Sequence, residues 1–193
     1  MDRRLLTWAH ACRGRGSNLP PLWLFTDSRR LPDPRPAVAR LPHGLAGVVL
    51  RHDNDPDRAA LGRDLARICR ARRLALVVAG DARLAAALHA GVHLRGGNWP
   101  GNQRRRRVLI TSSAHGLADL RRARRAGAAL AFLSPAFPTL SHPEAGGLGP
   151  LRWSRMACAA PLPTAALGGV TGLNVRRLAP RFCHAVGAIQ ALA

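Results

Sequence analysis

A chain of 193 residues is long enough for one domain with a sizeable core and too short for two ordinary ones. Its formal net charge is +20, yet every one of the basic residues is arginine and lysine is absent, which excludes Schiff-base chemistry and any lysine-dependent phosphate loop. With 47% hydrophobic residues the chain is globular, and with four Phe, four Trp and no Tyr it lacks the interleaved aromatics of a nucleic-acid binder, so the charge reads as solvated helix faces and no specific nucleic-acid partner is expected.

Residues 1–20 read as an N-terminal extension carrying a short helix from Leu5 to Cys12, too short and too polar for a secretory leader. No apolar run reaches membrane-span length, and Cys12, Cys69, Cys158 and Cys183 are too widely spaced for a disulfide framework or zinc site. A soluble cytoplasmic protein without a membrane partner is therefore expected. Residues 21–193 read as a single domain in which strands alternate with helices or loops. Leu22 to Asp27 is a strand, followed by a Pro-rich turn and a short helix; Leu45 to Arg51 is the second strand. Asp55 caps the next helix, with Pro56 in its first turn and Leu61, Leu65 and Ile68 at helical spacing. Leu74 to Val78 is the third strand, Ala82 to Ala90 a helix, and Gly91 to Leu94 a short fourth strand, after which a Gly-rich loop replaces much of the fourth helix. Val108 to Ser112, Ala129 to Leu133, Pro163 to Leu167 and Ala185 to Ala193 supply strands five to eight. The helices between them run from His115 to Ala126, Leu151 to Ala159 and Thr171 to Leu178. Eight strands in this alternation predict an α/β fold: a compact (β/α)8 TIM barrel with shortened fourth and eighth helices, ahead of an open doubly wound sheet, for which the first βα turn lacks the G-x-G-x-x-G signature.

In such a barrel the chemistry sits at the C-terminal ends of the strands. Those exits carry Asp27, Arg51, Asp81, His93 with Asn98, Ser113 with His115, Thr139 to His142, Gly168-Gly169, and the end of strand eight. Each has a bland account: Asp27 and Asp81 could simply cap helices, Asn98 serve a turn, and His93 be a satisfied strand histidine. Taken together, polar residues at nearly every exit favour a site. Gly168-Gly169 closes a short apolar strand, and without a Cβ there an anion such as phosphate can reach bare backbone N–H groups.

The order and spacing of Asp81, Gly91-Val92-His93-Leu94, Ser113-Ala114-His115, Ser134-Pro135-Ala136-Phe137-Pro138-Thr139 and Leu167-Gly168-Gly169-Val170 resemble the thiamine phosphate synthase/TenI family over residues 22 to 193. The strand-six P-x-[FY]-x-T segment and the Gly-Gly segment are the most specific parts of that likeness. The resemblance implies a (β/α)8 barrel, a possible homodimer, and a phosphorylated small-molecule substrate in thiamine biosynthesis. Synthases of the family join a hydroxymethylpyrimidine pyrophosphate to a thiazole phosphate with Mg²⁺; TenI relatives isomerise a thiazole phosphate tautomer with a histidine base and need no cofactor.

Carried onto this chain, the resemblance gives the phosphate to Gly168 and Gly169, with backbone near Ala188 and Ile189 and the Thr139-Leu140-Ser141 segment. Arg51 matches the arginine of an R-x-K motif whose lysine is Asp53 here. The Asn-Asp pair after strand three is Gly80-Asp81, leaving Asp81 as the one carboxylate for a metal; a second metal-binding Asp is Asn98, and a further lysine is His142. Arg51, Asp81, Asn98 and His142 thus make a depleted pyrophosphate site, beside which Arg95 adds a cation. Expelling pyrophosphate demands neutralisation of about three negative charges, whereas a tautomerase needs an anchored phosphate and one base near neutrality. The expectation is a TenI-like thiazole tautomerase with His115 as base and Ser113 hydrogen-bonding nearby. A Mg²⁺-dependent synthase and a non-catalytic phosphate-binding relative are its alternatives.

Overall fold

The computed structural model describes residues 2–12, 18–100, 108–139 and 146–193. Eight parallel strands close into a barrel in chain order: β1 Leu22–Phe25, β2 Ala46–Leu50, β3 Ala75–Ala79, β4 Gly91–Leu94, β5 Ile110–Ala114, β6 Leu130–Leu133, β7 Thr164–Leu167 and β8 Cys183–Ala188. The seam is made by β1 against β8, with Leu22 opposite Val186 and Leu24 opposite Ala188. An open doubly wound sheet is thereby excluded. Most strands are buried on both faces, which explains why they read as short unbroken apolar runs and not as alternating patterns.

Alternate residues divide the core in two. Trp23, Phe25, Val49, Val77, Leu130 and Phe132 fill the barrel interior, where Phe132 meets Phe25 and Trp23 edge-to-face at centroid distances of 4.8 and 5.6 Å. The bulk of Trp23 is accommodated by a neighbouring glycine: a Cβ on Gly47 would stand 2.5 Å from the indole ring. The intervening residues, among them Leu22, Leu24, Val48 and Leu50, face the helices. Those helices are α2 Arg35–Arg40, α3 Arg58–Ala71, α4 Ala82–Ala87, α5 Leu117–Arg125 and α6 Gly149–Cys158. Trp153 of α6 is fully buried, and its indole N–H donates to the Leu133 carbonyl at 3.1 Å, tying the helix to β6.

Among the described residues no helix follows β4, and β8 is followed only by turns. The flank beside β8 is covered instead by α1, Arg3–Cys12, which buries Leu5, Trp8, Ala9 and Cys12 and is pinned at its start by the Gly172 N–H to Asp2 Oδ2 at 2.7 Å. The N-terminal helix thus packs on β8 and on the turn after β7. Three sequence expectations are corrected. The helix expected over Thr171 to Leu178 is a single 3-10 turn, Val175–Arg177, started by the Asn174 side chain accepting the Thr171 N–H at 2.9 Å. Strand eight begins at Cys183, not Ala185, and ends at Ala188. The N-cap position of α3 is Asp57; Asp55 instead accepts the Asp57 N–H at 2.9 Å in the preceding turn. Among the described residues no helix is long and apolar enough to cross a membrane. Burial pushes the Cys69 and Cys183 thiols up to about 12, so both are inert core groups.

Candidate active site

A cavity of about 750 Å³ opens at the C-terminal ends of the strands. Its residues come from every strand exit but are not the full set read from the sequence. Arg51, Ser113, His115, Thr139, Gly168, Gly169, Ala188 and Ile189 line it; Asp81 and Asn98 do not. Leu140, Ser141 and His142 lie outside the described residues.

One wall is built from two segments that approach too closely for ordinary side chains. Ala136 and Phe137 donate their N–H groups to the carbonyls of Leu167 and Gly168 at 2.8 and 3.0 Å, so the loop after β6 is zipped onto the end of β7. Gly168 and Gly169 have φ of +89° and +63°, and a Cβ on Gly169 would collide with the Pro138 carbonyl oxygen. Asn174 then donates to the Gly169 carbonyl at 2.7 Å, turning that peptide's oxygen away from the cavity. Among the described residues no protein acceptor takes the backbone N–H of Gly168, Gly169, Ile189 or Gln190. Such a group of unpaired donors at one rim suits a phosphate.

His115 follows β5 on the adjacent side. Its backbone N–H donates to Asp119 Oδ2 at 2.8 Å, an acidic residue in the first turn of α5 reaching back to the chain that enters the helix. The imidazole Nδ1 lies 3.0 Å from the Ser134 carbonyl oxygen. A carbonyl only accepts, so Nδ1 carries a hydrogen, and in the neutral imidazole the lone pair then lies on Nε2. Ser113 lines the same cavity, and among the described residues no hydrogen bond joins it to His115. Its hydroxyl accepts the Gly96 N–H at 3.2 Å, while Ser112 accepts that of Gly97 at 2.9 Å, and the two serines hold the loop after β4. The hydroxyl near His115 is that of Ser134, 3.4 Å from Nδ1. His93 lies at the cavity floor, 3% exposed, with Nδ1 2.9 Å from Thr111 Oγ1. Burial, with Arg51 and Arg95 adding to it, pushes its pKa down to about 3, so it is neutral at pH 7. The unfolded chain protonates this histidine near pH 6.5, so its contribution to stability is whole above that pH and is lost as pH falls toward 3. Urea unfolding between pH 7 and 4 should show a loss on the order of 3 kcal/mol, flattened in His93→Asn; equal pH slopes in the two proteins would contradict the assignment.

The opposite corner holds the cations. Arg51 is positioned by its N–H donating to Thr26 Oγ1 at 2.9 Å, and Arg95 Nη2 pairs with Asp53 Oδ2 at 2.6 Å. Arg58, from the start of α3, pairs with Asp53 Oδ1 at 3.3 Å and donates to the Ala79 carbonyl at 2.6 Å. Sequence reading noted Asp53 only as a replaced lysine and passed over Arg58, because Asp53's partner Arg95 is remote along the chain. Asp81 is the N-cap of α4: Oδ1 accepts the N–H groups of Arg83 and Leu84 at 3.0 and 2.8 Å, and Oδ2 lies 3.9 Å from Arg58. Asn98 is exposed, and its amide donates to the Arg95 carbonyl at 3.2 Å, closing a turn. For the Mg²⁺ implied by the resemblance, both Asp53 oxygens face arginines and Asp81 Oδ1 is engaged at a helix start, and among the described residues no group of three His, Cys, Asp or Glu gathers; Asp81 Oδ2 is the carboxylate oxygen left for an ion otherwise held by substrate phosphates. Asp81→Ala should cost about 1 kcal/mol of stability, as loss of a cap does, with the same urea midpoint whether or not Mg²⁺ is present; a Mg²⁺-dependent stabilisation of the wild type that Asp81→Ala abolishes would contradict this placement.

The comparisons with known proteins agree with this architecture. A family model described as thiamine monophosphate synthase matches residues 24–192. The chain is 33% identical over 144 residues to a thiamine-phosphate synthase of Geobacillus kaustophilus, a match covering 71% of this chain and 65% of the relative's length. It is 32% identical over 187 residues to the thiamine-phosphate synthase of Halorhodospira halophila, covering 91% of this chain and 88% of that one. In fold it is similar to a thiamine phosphate pyrophosphorylase from Pyrococcus furiosus, with a TM-score of 0.74 and 23% identity over 90% of this chain and 87% of the other. The chain belongs to the thiamine monophosphate synthase family.

Proposed function

We propose that this protein acts in thiamine biosynthesis, binding a thiazole phosphate and interconverting its tautomers as a TenI-like isomerase. The observation that carries the reading is the 3.0 Å bond from His115 Nδ1 to the Ser134 carbonyl, which leaves Nε2 as the base on the same cavity as the Gly168-Gly169 donors. The phosphate is held by unpaired N–H groups at the β7 and β8 exits. Nε2 takes a proton from a ring carbon of the non-aromatic tautomer, and the resulting imidazolium returns it at the other end of the conjugated system, so no atom is gained or lost. While the ring is charged, the Nδ1–H bond to Ser134 is charge-assisted and stabilises it.

A second reading, a working synthase, is favoured by the names of the relatives, both thiamine-phosphate synthases. In that case Arg51 and Arg95 would face the pyrophosphate of the pyrimidine substrate. Thiamine phosphate formation from the pyrimidine pyrophosphate and the thiazole phosphate, with Mg²⁺ and with chelator, separates the two. The isomerase reading expects no product in either condition, and product formed at enzymatic rates would replace it with the second.

A further inference from the structure

At the β3 exit, where the resemblance places a metal carboxylate, the structure has a guanidinium: Arg95 packs over Gly80, its Nε and Nη2 at an ordinary contact distance of 3.4 Å from where a Cβ would stand. Asp53 fixes the guanidinium through one nitrogen, at 2.6 Å, and is itself steadied by Arg58 at 3.3 Å. Arg58 in turn is only 14% exposed and anchored to the Ala79 carbonyl, so the brace is rigid at its inner end. The Arg95 side chain remains 62% exposed, and the rest of its fork is open to the cavity that it lines with Arg51. Arg51 enters no ion pair among the described residues. The carboxylate at 53, where the family motif has lysine, thus holds the Arg95 guanidinium at this exit.

We propose that Arg95, braced by Asp53 over Gly80, serves with Arg51 as a metal-free oligophosphate site, a fixed cation taking the place of a divalent ion. A planar guanidinium suits this role, because it presents paired N–H donors to two phosphate oxygens and cannot be deprotonated near neutrality. The site is separate from the Gly168-Gly169 donors and does not depend on proton transfer by His115.

The test is calorimetric titration of inorganic pyrophosphate into the full chain at 150 mM salt, once with EDTA and once with excess Mg²⁺. Binding is expected in EDTA and should not be strengthened more than about twofold by Mg²⁺. Arg95→Ala should weaken it roughly tenfold or more, as loss of a charged hydrogen-bonding partner does, and Arg95→Lys should fall between. Arg121→Ala, an exposed arginine on α5, removes the same charge far from the cavity and should leave affinity within about twofold. No binding, binding only with Mg²⁺, or binding weakened equally by Arg95→Ala and Arg121→Ala would each overturn the proposal. The readout is heat of binding and requires no turnover, so failure of the His115 chemistry would leave it standing, and its own failure would leave the His115 reading untouched.

Discussion

His115→Gln is expected to lower the rate of thiazole phosphate aromatisation by a factor on the order of 10²–10⁴, the usual contribution of a positioned general base. Affinity for the phosphate should stay within about twofold, because the donors at Gly168, Gly169 and Ile189 belong to other strands. Glutamine preserves the polar side chain and can keep a hydrogen bond to the Ser134 carbonyl, but it offers no basic nitrogen to the cavity. A Ser134 substitution would not make the same point, since the acceptor is the backbone carbonyl of Ser134. If His115→Gln retained the full rate, the base would have to be another residue.

Gly169→Ala is expected to weaken binding of the thiazole phosphate by on the order of 100-fold, the scale of losing one or two charge-assisted hydrogen bonds. The new methyl group would collide with the Pro138 carbonyl oxygen and stand 2.8 Å from that of Phe137, so the loop after β6 has to move off the end of β7. Its φ of +63° adds strain of about 1–3 kcal/mol for any side chain. Gly44→Ala separates the two contributions: its φ is +67° with nothing within 4 Å of the added Cβ, so it should cost strain alone and leave binding intact. Equal affinities for Gly169→Ala and the wild type would show that the Gly-Gly corner does not hold the phosphate.

Much of this fold was legible because a parallel barrel writes a repeating signature into its chain. Short apolar runs separated by helices or loops reported the eight strands, and the absence of a dinucleotide fingerprint favoured closure over an open sheet. The Gly-Gly and P-A-F-P segments read as two separate motifs some thirty residues apart. The structure makes them one object, since Gly168 and Gly169 are glycines in order that Pro135 to Pro138 can lie on them. Asp81 marks the limit of sequence reading. A carboxylate at a strand exit followed by a helix satisfies both a metal ligand and an N-cap, and the placement of Oδ1 against Arg83 and Leu84 is what shows the cap. The sequence points to Ser113 as the hydroxyl near His115, whereas Ser134, the first residue after β6, is the one that lies 3.4 Å from Nδ1, because the next strand is adjacent in the barrel and remote along the chain. The Asp53–Arg95 pair left no local signal at all, because it joins the exits of β2 and β4, far apart along the chain. The Thr171 to Leu178 segment has apolar residues at helical intervals, yet Asn174 folds back on Thr171 and Gly169 and confines it to one 3-10 turn.

The central claim is that this family member anchors a thiazole phosphate on bare backbone donors and moves a proton with His115, using no metal. The most direct measurement is aromatisation of the non-aromatic thiazole phosphate tautomer by purified protein in excess EDTA, followed by ultraviolet absorbance or proton NMR against the uncatalysed rate. Catalysis in EDTA, unchanged on adding Mg²⁺ and lost in His115→Gln, is the result this account predicts. No acceleration over the uncatalysed reaction, from folded protein that binds the thiazole phosphate, would contradict it.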